Sequence, residues 1–181
     1  TDDPKIKRAL LRVFRYVDYP YSVDKLLAIY NEGNDELKEV ALESLARFKA
    51  RRIHDLAVYN LENGFYIPES LGLLGKNFRG KYELVLNVLK SHKDSEEYDY
   101  HCLAMEIRKI FSNRRNPKAQ EILLFDYYRN RCSFCRKYIV AIMCKSKCIP
   151  VDILEECLYD CCEDTRKNAG RYKRLLKIAS T

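Results

Sequence analysis

The sequence predicts an all-α fold in which antiparallel helix pairs stack as a right-handed superhelix, and three observations carry that expectation. A polar residue followed three positions later by a small or aliphatic one recurs six times, as Lys7/Leu10, Lys38/Ala41, Glu69/Gly72, His101/Ala104, Arg136/Ile139 and Arg166/Ala169. The steps are 31, 31, 32, 35 and 30 residues, about one helical hairpin each, and a hairpin that cannot bury its apolar face alone must stack on its neighbours. Only 6 Gly and 5 Pro interrupt 181 residues, so breakers are scarce and long helix-forming side chains abundant. The connections are short, which makes consecutive helices antiparallel neighbours.

The helices follow in pairs, A then B, beginning with an unpaired B helix. Asp2 or Asp3 caps it, Pro4 suits its first turn, and Ile6, Leu10, Leu11, Phe14 and Val17 form its apolar stripe. An A helix at 22–30 carries Val23, Leu26, Leu27 and Tyr30; a B helix at 35–48, capped by Asn34 or Asp35, carries Leu37, Val40, Ala41, Leu45 and Phe48. The third pair combines a long A helix at 51–62 with a short B helix beginning near Pro68, where Gly64, Gly72, Gly75 and Gly80 cluster. Helices at 80–91 and 96–112, then 117–129 and 132–145, then 150–161 and 163–179 complete the series, with Pro117 and Pro150 at helix starts. One domain, residues 1–181 with about five and a half repeats, accounts for the length. Thr1 stands where Met would, and the first helix begins at once, so the chain reads as a fragment of a longer one.

Two stretches carry a family resemblance. Asp35-Glu36-Leu37-Lys38-Glu39-Val40-Ala41 with Leu45, and Asp164-Thr165-Arg166-Lys167-Asn168-Ala169, resemble the second helix of HEAT repeats, where an apolar, a basic and a small residue follow an acidic or Asn turn. The resemblance implies a HEAT- or armadillo-like α-solenoid over essentially the whole chain. It further implies that the small residue permits close helix packing, and that the basic one bridges to a neighbouring repeat. On that basis Lys7, Lys38, His101, Arg136 and Arg166 are expected to form a structural ladder.

Charge is segregated by turn. The B-to-A turns hold Arg47, Lys49, Arg51 and Arg52; Lys76, Arg79 and Lys81; Arg114, Arg115 and Lys118; and Lys145 and Lys147, with no acid among them. The A-to-B turns are mostly acidic, with Glu32, Asp35, Glu36, Glu62, Asp94, Glu96, Glu97, Asp99, Asp160, Glu163 and Asp164; Arg129 and Arg131 break the rule. Helix dipoles explain acids at B-helix N-termini and bases at B-helix C-termini, but not bases at A-helix N-termini. Those twelve basic residues are therefore candidate contacts for an anion or nucleic acid, in a chain of net charge +7.

Eight cysteines include Cys132-Ser133-Phe134-Cys135, a zinc-like spacing, with Cys157, Cys161 and Cys162 one repeat later. Two cysteines three apart on a helix also share a face without a metal, and a cysteine on an apolar stripe acts as a small hydrophobe. Unligated thiols, no metal and no cofactor are the expectation, with zinc or a disulfide as the alternatives. Reduced thiols suit a cytoplasm, and no apolar run reaches the roughly 18 residues of a membrane span.

His54, His92 and His101 are far apart in sequence, and no phosphate loop, nucleophile elbow or metalloprotease motif occurs, so no catalytic residue is assigned. His54 is expected on a helix surface. Tyr98, Tyr100, Tyr127 and Tyr128 are expected to pack on helix faces, with base stacking as the alternative. Two function classes remain. One is a non-enzymatic scaffold whose concave face of B helices holds a protein or peptide. The other is nucleic-acid engagement, extending by resemblance to HEAT-like DNA glycosylases, whose concave pocket uses aromatic residues and an acid. The scaffold is preferred, because the chain has no Trp and no local Asp-aromatic-Arg grouping.

Overall fold

The computed structural model describes the backbone of residues 3–179 and the side chains of residue 3 and residues 5–176; Asp2, one of the two expected caps, lies outside the described residues. All regular structure among them is helical: α1 (Pro4–Val13), α2 (Val23–Glu32), α3 (Asp35–Leu45), α4 (Arg51–Asn63), α5 (Ile67–Asn77), α6 (Tyr82–Ser91), α7 (Glu97–Ser112), α8 (Gln120–Arg129), α9 (Ser133–Lys145), α10 (Val151–Cys157) and α11 (Glu163–Ala179). No helix is long and apolar enough to cross a membrane. The helix count and the pairing follow the sequence expectation; several ends differ. A 3-10 turn, Pro117–Ala119, precedes α8. α10 stops at Cys157 rather than near 161, because Asp160 turns the chain by accepting the Cys162 amide at 2.7 Å.

The chain divides into two compact units, Thr1–Lys81 and Tyr82–Thr181. In the first, α3 packs between α1 and α5, with α2 against α3 and α4 against α5. Its core is built on Leu26, Leu42, Leu45, Ile53, Leu71 and Leu74, all fully buried. A polar chain threads this core: the Tyr30 hydroxyl donates to Asn60 Oδ1 at 2.9 Å, and Asn60 Nδ2 donates to Ser70 Oγ at 3.1 Å. Asn77 ties the end of α5 to the turn before α4, accepting from the Ala50 amide and donating to the Phe48 carbonyl, both at 2.9 Å. Gly64, at φ 74, closes α4 with a left-handed cap that a side chain would strain. His54 is buried, 6 % exposed, rather than on the surface as expected, because it follows Ile53 on the inner margin of α4.

In the second unit α9 packs against α7, α8 and α11, while α6 packs against α7 and α8. Leu89, Ile107, Ile110, Leu123, Ile139 and Met143 are among its core residues. Tyr100 and Tyr127 are buried with them, whereas Tyr98 and Tyr128 are exposed. In both units the side chains that join successive hairpins do so across 27 to 36 residues of sequence, from Lys137–Asp164 to Arg129 with the Lys93 carbonyl. Arg8–Glu36 at 3.1 Å, Arg47–Asp18 at 2.8 Å, Lys90–Glu121 at 3.1 Å and Arg136–Asp160 at 3.5 Å are further examples.

Candidate functional site

The chemistry-bearing residues of the second unit converge between α7 and α9. Cys132 is the N-cap of α9, and Cys135 stands one turn inside it, so the helical start places both sulfurs on one side. His101, near the start of α7, brings its ring against them: Cys135 Sγ lies 3.4 Å from Nδ1 and 3.8 Å from Nε2. One ligand atom from each of His101, Cys132 and Cys135 lies within 4.8 Å of the other two. Cys135 is buried, and the other two are partly buried. The sequence placed His101 only in the structural ladder and offered Cys157, Cys161 and Cys162, one repeat later, as companions of the Cys-x-x-Cys pair; the group that meets the pair is instead His101, from the preceding hairpin 34 residues away.

The electrostatics of the two thiols differ. The backbone of Cys135, with the Cys135 side chain and the Phe134 backbone, holds the Cys132 thiol below its ordinary range against some desolvation. Burial pushes Cys135 up, partly offset by the Arg108 guanidinium beside it. Arg108 is itself 6 % exposed; its Nε donates to the Ala104 carbonyl at 3.0 Å and lies 3.5 Å from Asp126 Oδ2. Asp126 is 1 % exposed and accepts from Asn130 Nδ2 at 3.3 Å. Burial raises its pKa to about 6, with Arg108 and Asn130 pulling the other way. The second unit thus contains the Asp-Arg-aromatic grouping that the sequence did not reveal, Asp126 with Arg108 and with Tyr100 under Arg129 at 4.7 Å. Asp126 is buried in the interior.

From the His101 and Cys135 end, a groove of about 400 Å³ runs between α7 and α9. Met105, Phe134, Tyr138 and Ile142 give it an apolar floor and wall, with Arg108, Lys109 and Lys145 among its lining and no acidic residue there. Met105, Phe134 and Tyr138 are 40 %, 57 % and 48 % exposed, and the two rings meet edge to face at 5.1 Å. Lys137 caps this pair, its ammonium 4.4 Å from the Phe134 ring while it also reaches Asp164 at 3.0 Å.

The candidate basic contacts divide. In the first unit Arg47 pairs with Asp18, Arg51 with Asp55, Arg52 with Asp24 and Lys81 with Glu62, while Lys76 donates to the Arg47 carbonyl. Lys49 and Arg79 are exposed. In the second unit Arg114 turns back on the Ile110 carbonyl, Lys145 lines the groove, and Arg115, Lys118 and Lys147 are exposed. Of the ladder, Arg136 reaches Asp160 of the next hairpin and His101 reaches Cys135. Arg166 instead donates to the carbonyls of Asp160 and Cys161 in its own turn, at 2.7 and 3.0 Å. Lys7 is exposed and Lys38 half-buried. Arg129, the exception in the acidic turns, donates to the Lys93 and Ser95 carbonyls. All eight cysteines are thiols. No protein-family model, curated protein or solved structure matches the chain.

Proposed function

We propose that the chain is a non-enzymatic scaffold of the HEAT-like α-solenoid type, and that the groove between α7 and α9 holds a peptide segment of a partner protein. The carrying observation is the composition of that groove: exposed apolar and aromatic side chains on the facing sides of two successive B helices, with Arg108, Lys109 and Lys145 and no carboxylate in its lining. Hairpin-to-hairpin bonds at about one repeat of separation support the solenoid reading. Apolar exposure of this kind is what interaction grooves present; Arg108 pairs with Asp126 and Lys109 with Glu106, so Lys145 is the cation that favours an acidic residue beside the aliphatic or aromatic anchors of the segment.

Panning a random peptide library on the chain, with the Phe134→Ala/Tyr138→Ala double variant as counter-target, tests this. The expected result is a set of peptides combining acidic residues with apolar anchors, each losing about 10-fold or more in affinity on the double variant. Peptides that bind the double variant equally well, or no enrichment at all, would remove the groove as the docking site. The nucleic-acid alternative draws on fewer side chains than the sequence suggested, since four of the seven basic residues in the first unit already pair with carboxylates.

A further inference from the structure

We propose that His101, Cys132 and Cys135 form a binding site for a divalent zinc-class metal ion, a site that stands independently of what occupies the groove. The ligand types are those zinc takes, two thiolates and an imidazole. Tetrahedral bonds of about 2.3 Å to sulfur and 2.0–2.1 Å to nitrogen place sulfur and nitrogen ligands about 3.6 Å apart. Cys135 Sγ and His101 Nδ1 stand 3.4 Å apart, and the three ligand atoms lie within 4.8 Å of one another, so closure around an ion needs only small side-chain rotations.

The surroundings suit a bound ion as well as the ligands do. Cys132 caps α9 and Cys135 lies within its first turn, so the start of one helix presents both sulfurs on the same side. Two thiolates balance the charge of a divalent ion. The neighbouring Arg108 is balanced in turn by Asp126, 3.5 Å away, so the loaded centre and its buried pair sum to zero charge. Loading releases the thiol protons to solvent and involves no redox step. Three protein ligands leave a fourth position for water or for a donor entering by the groove, which His101 and Cys135 both line. The ligands come from two successive B helices, so the ion would clip α7 to α9.

Cobalt(II) titration of the full chain, under a non-thiol reductant, is the test. One ion per chain is expected, with thiolate-to-cobalt charge-transfer absorption and intense visible bands of a tetrahedral site, displaced by zinc. Cys132→Ser and Cys135→Ser should each weaken binding by about 100-fold or more, and His101→Ala by at least about 10-fold with altered visible bands. The Cys161→Ser/Cys162→Ser variant should bind as the parent does. Should the ligand variants fail to fold, zinc protection against alkylation in the unsubstituted chain decides, since Cys132 and Cys135 alone should be shielded. Absence of a stoichiometric cobalt spectrum, binding that survives loss of Cys132 and Cys135, or protection centred on other cysteines would overturn the site.

Discussion

Asp126 and His54 are buried titratable side chains whose effects on stability have opposite sign. Burial raises Asp126 from 3.8 to about 6, so between those pH values the folded chain keeps a proton that the unfolded chain has released. Stability should therefore fall as pH rises through that window, by roughly 2–3 kcal/mol. Burial depresses His54 below its ordinary 6.5, although Asp55 and the Asn77 backbone resist. Below that pH the unfolded chain takes up the proton first, and stability falls toward acid. His54 Nδ1 has no hydrogen-bond partner among the described residues. Urea midpoints measured across pH 4 to 7 should show Asp126→Asn losing the decline with rising pH, and His54→Leu losing the decline toward acid. A profile unchanged by Asp126→Asn would mean that another group carries the proton.

At the scale of elements, Gly33 and Gly75 should respond to alanine with opposite sign. A Cβ on Gly33, at the C-terminus of α2, would lie 2.6 Å from the Ile29 carbonyl oxygen and 2.9 Å from the Leu37 Cβ of α3. Backbone stands on one side and a packed helix on the other, so Gly33→Ala must pry the hairpin apart, at about 1–3 kcal/mol. A Cβ on Gly75, inside α5, meets nothing within 4 Å. There the helix gains propensity without a clash, and Gly75→Ala should stabilise by about 0.5–1 kcal/mol. Chemical denaturation of both variants checks the pair; equal effects would mean that the α2–α3 turn relaxes freely.

For the molecule as a whole, a net charge of +7 makes weak attraction for polyanions unavoidable. Lys and Arg with carboxylate partners in their own unit contribute little to it, so the test reverses three of the exposed basic residues, Arg79, Arg115 and Lys118. Duplex DNA should bind only weakly and fall off steeply with salt. Replacing all three by Glu should lower affinity further and flatten the salt slope, with helix content unchanged by circular dichroism. Tight binding at physiological salt that survives the three reversals would place a nucleic-acid surface elsewhere and favour that function class over the scaffold.

The sequence by itself determined the helical class, the order and pairing of the eleven helices among the described residues and most of their ends, because apolar spacing, Asn34 and Asp3 caps and Pro starts act within a few residues. Ends set by side-chain turns, such as Asp160 after α10, were less legible. The Cys132-x-x-Cys135 spacing was also visible, since both residues share one helical turn. Only the tertiary structure decided what stands beside them. His101 is 34 residues away, and whether its ring meets Cys135 depends on how α7 packs against α9. Burial was decided in the same way: His54 sits at the margin of an amphipathic face, where one neighbouring helix converts a surface position into an interior one. The pairing of Arg47 with Asp18 and of Arg52 with Asp24, 29 and 28 residues apart, likewise turned part of a basic cluster into neutral surface. Local periodicity is written along the chain; proximity across a hairpin depends on packing angles and side-chain rotamers that no single segment encodes.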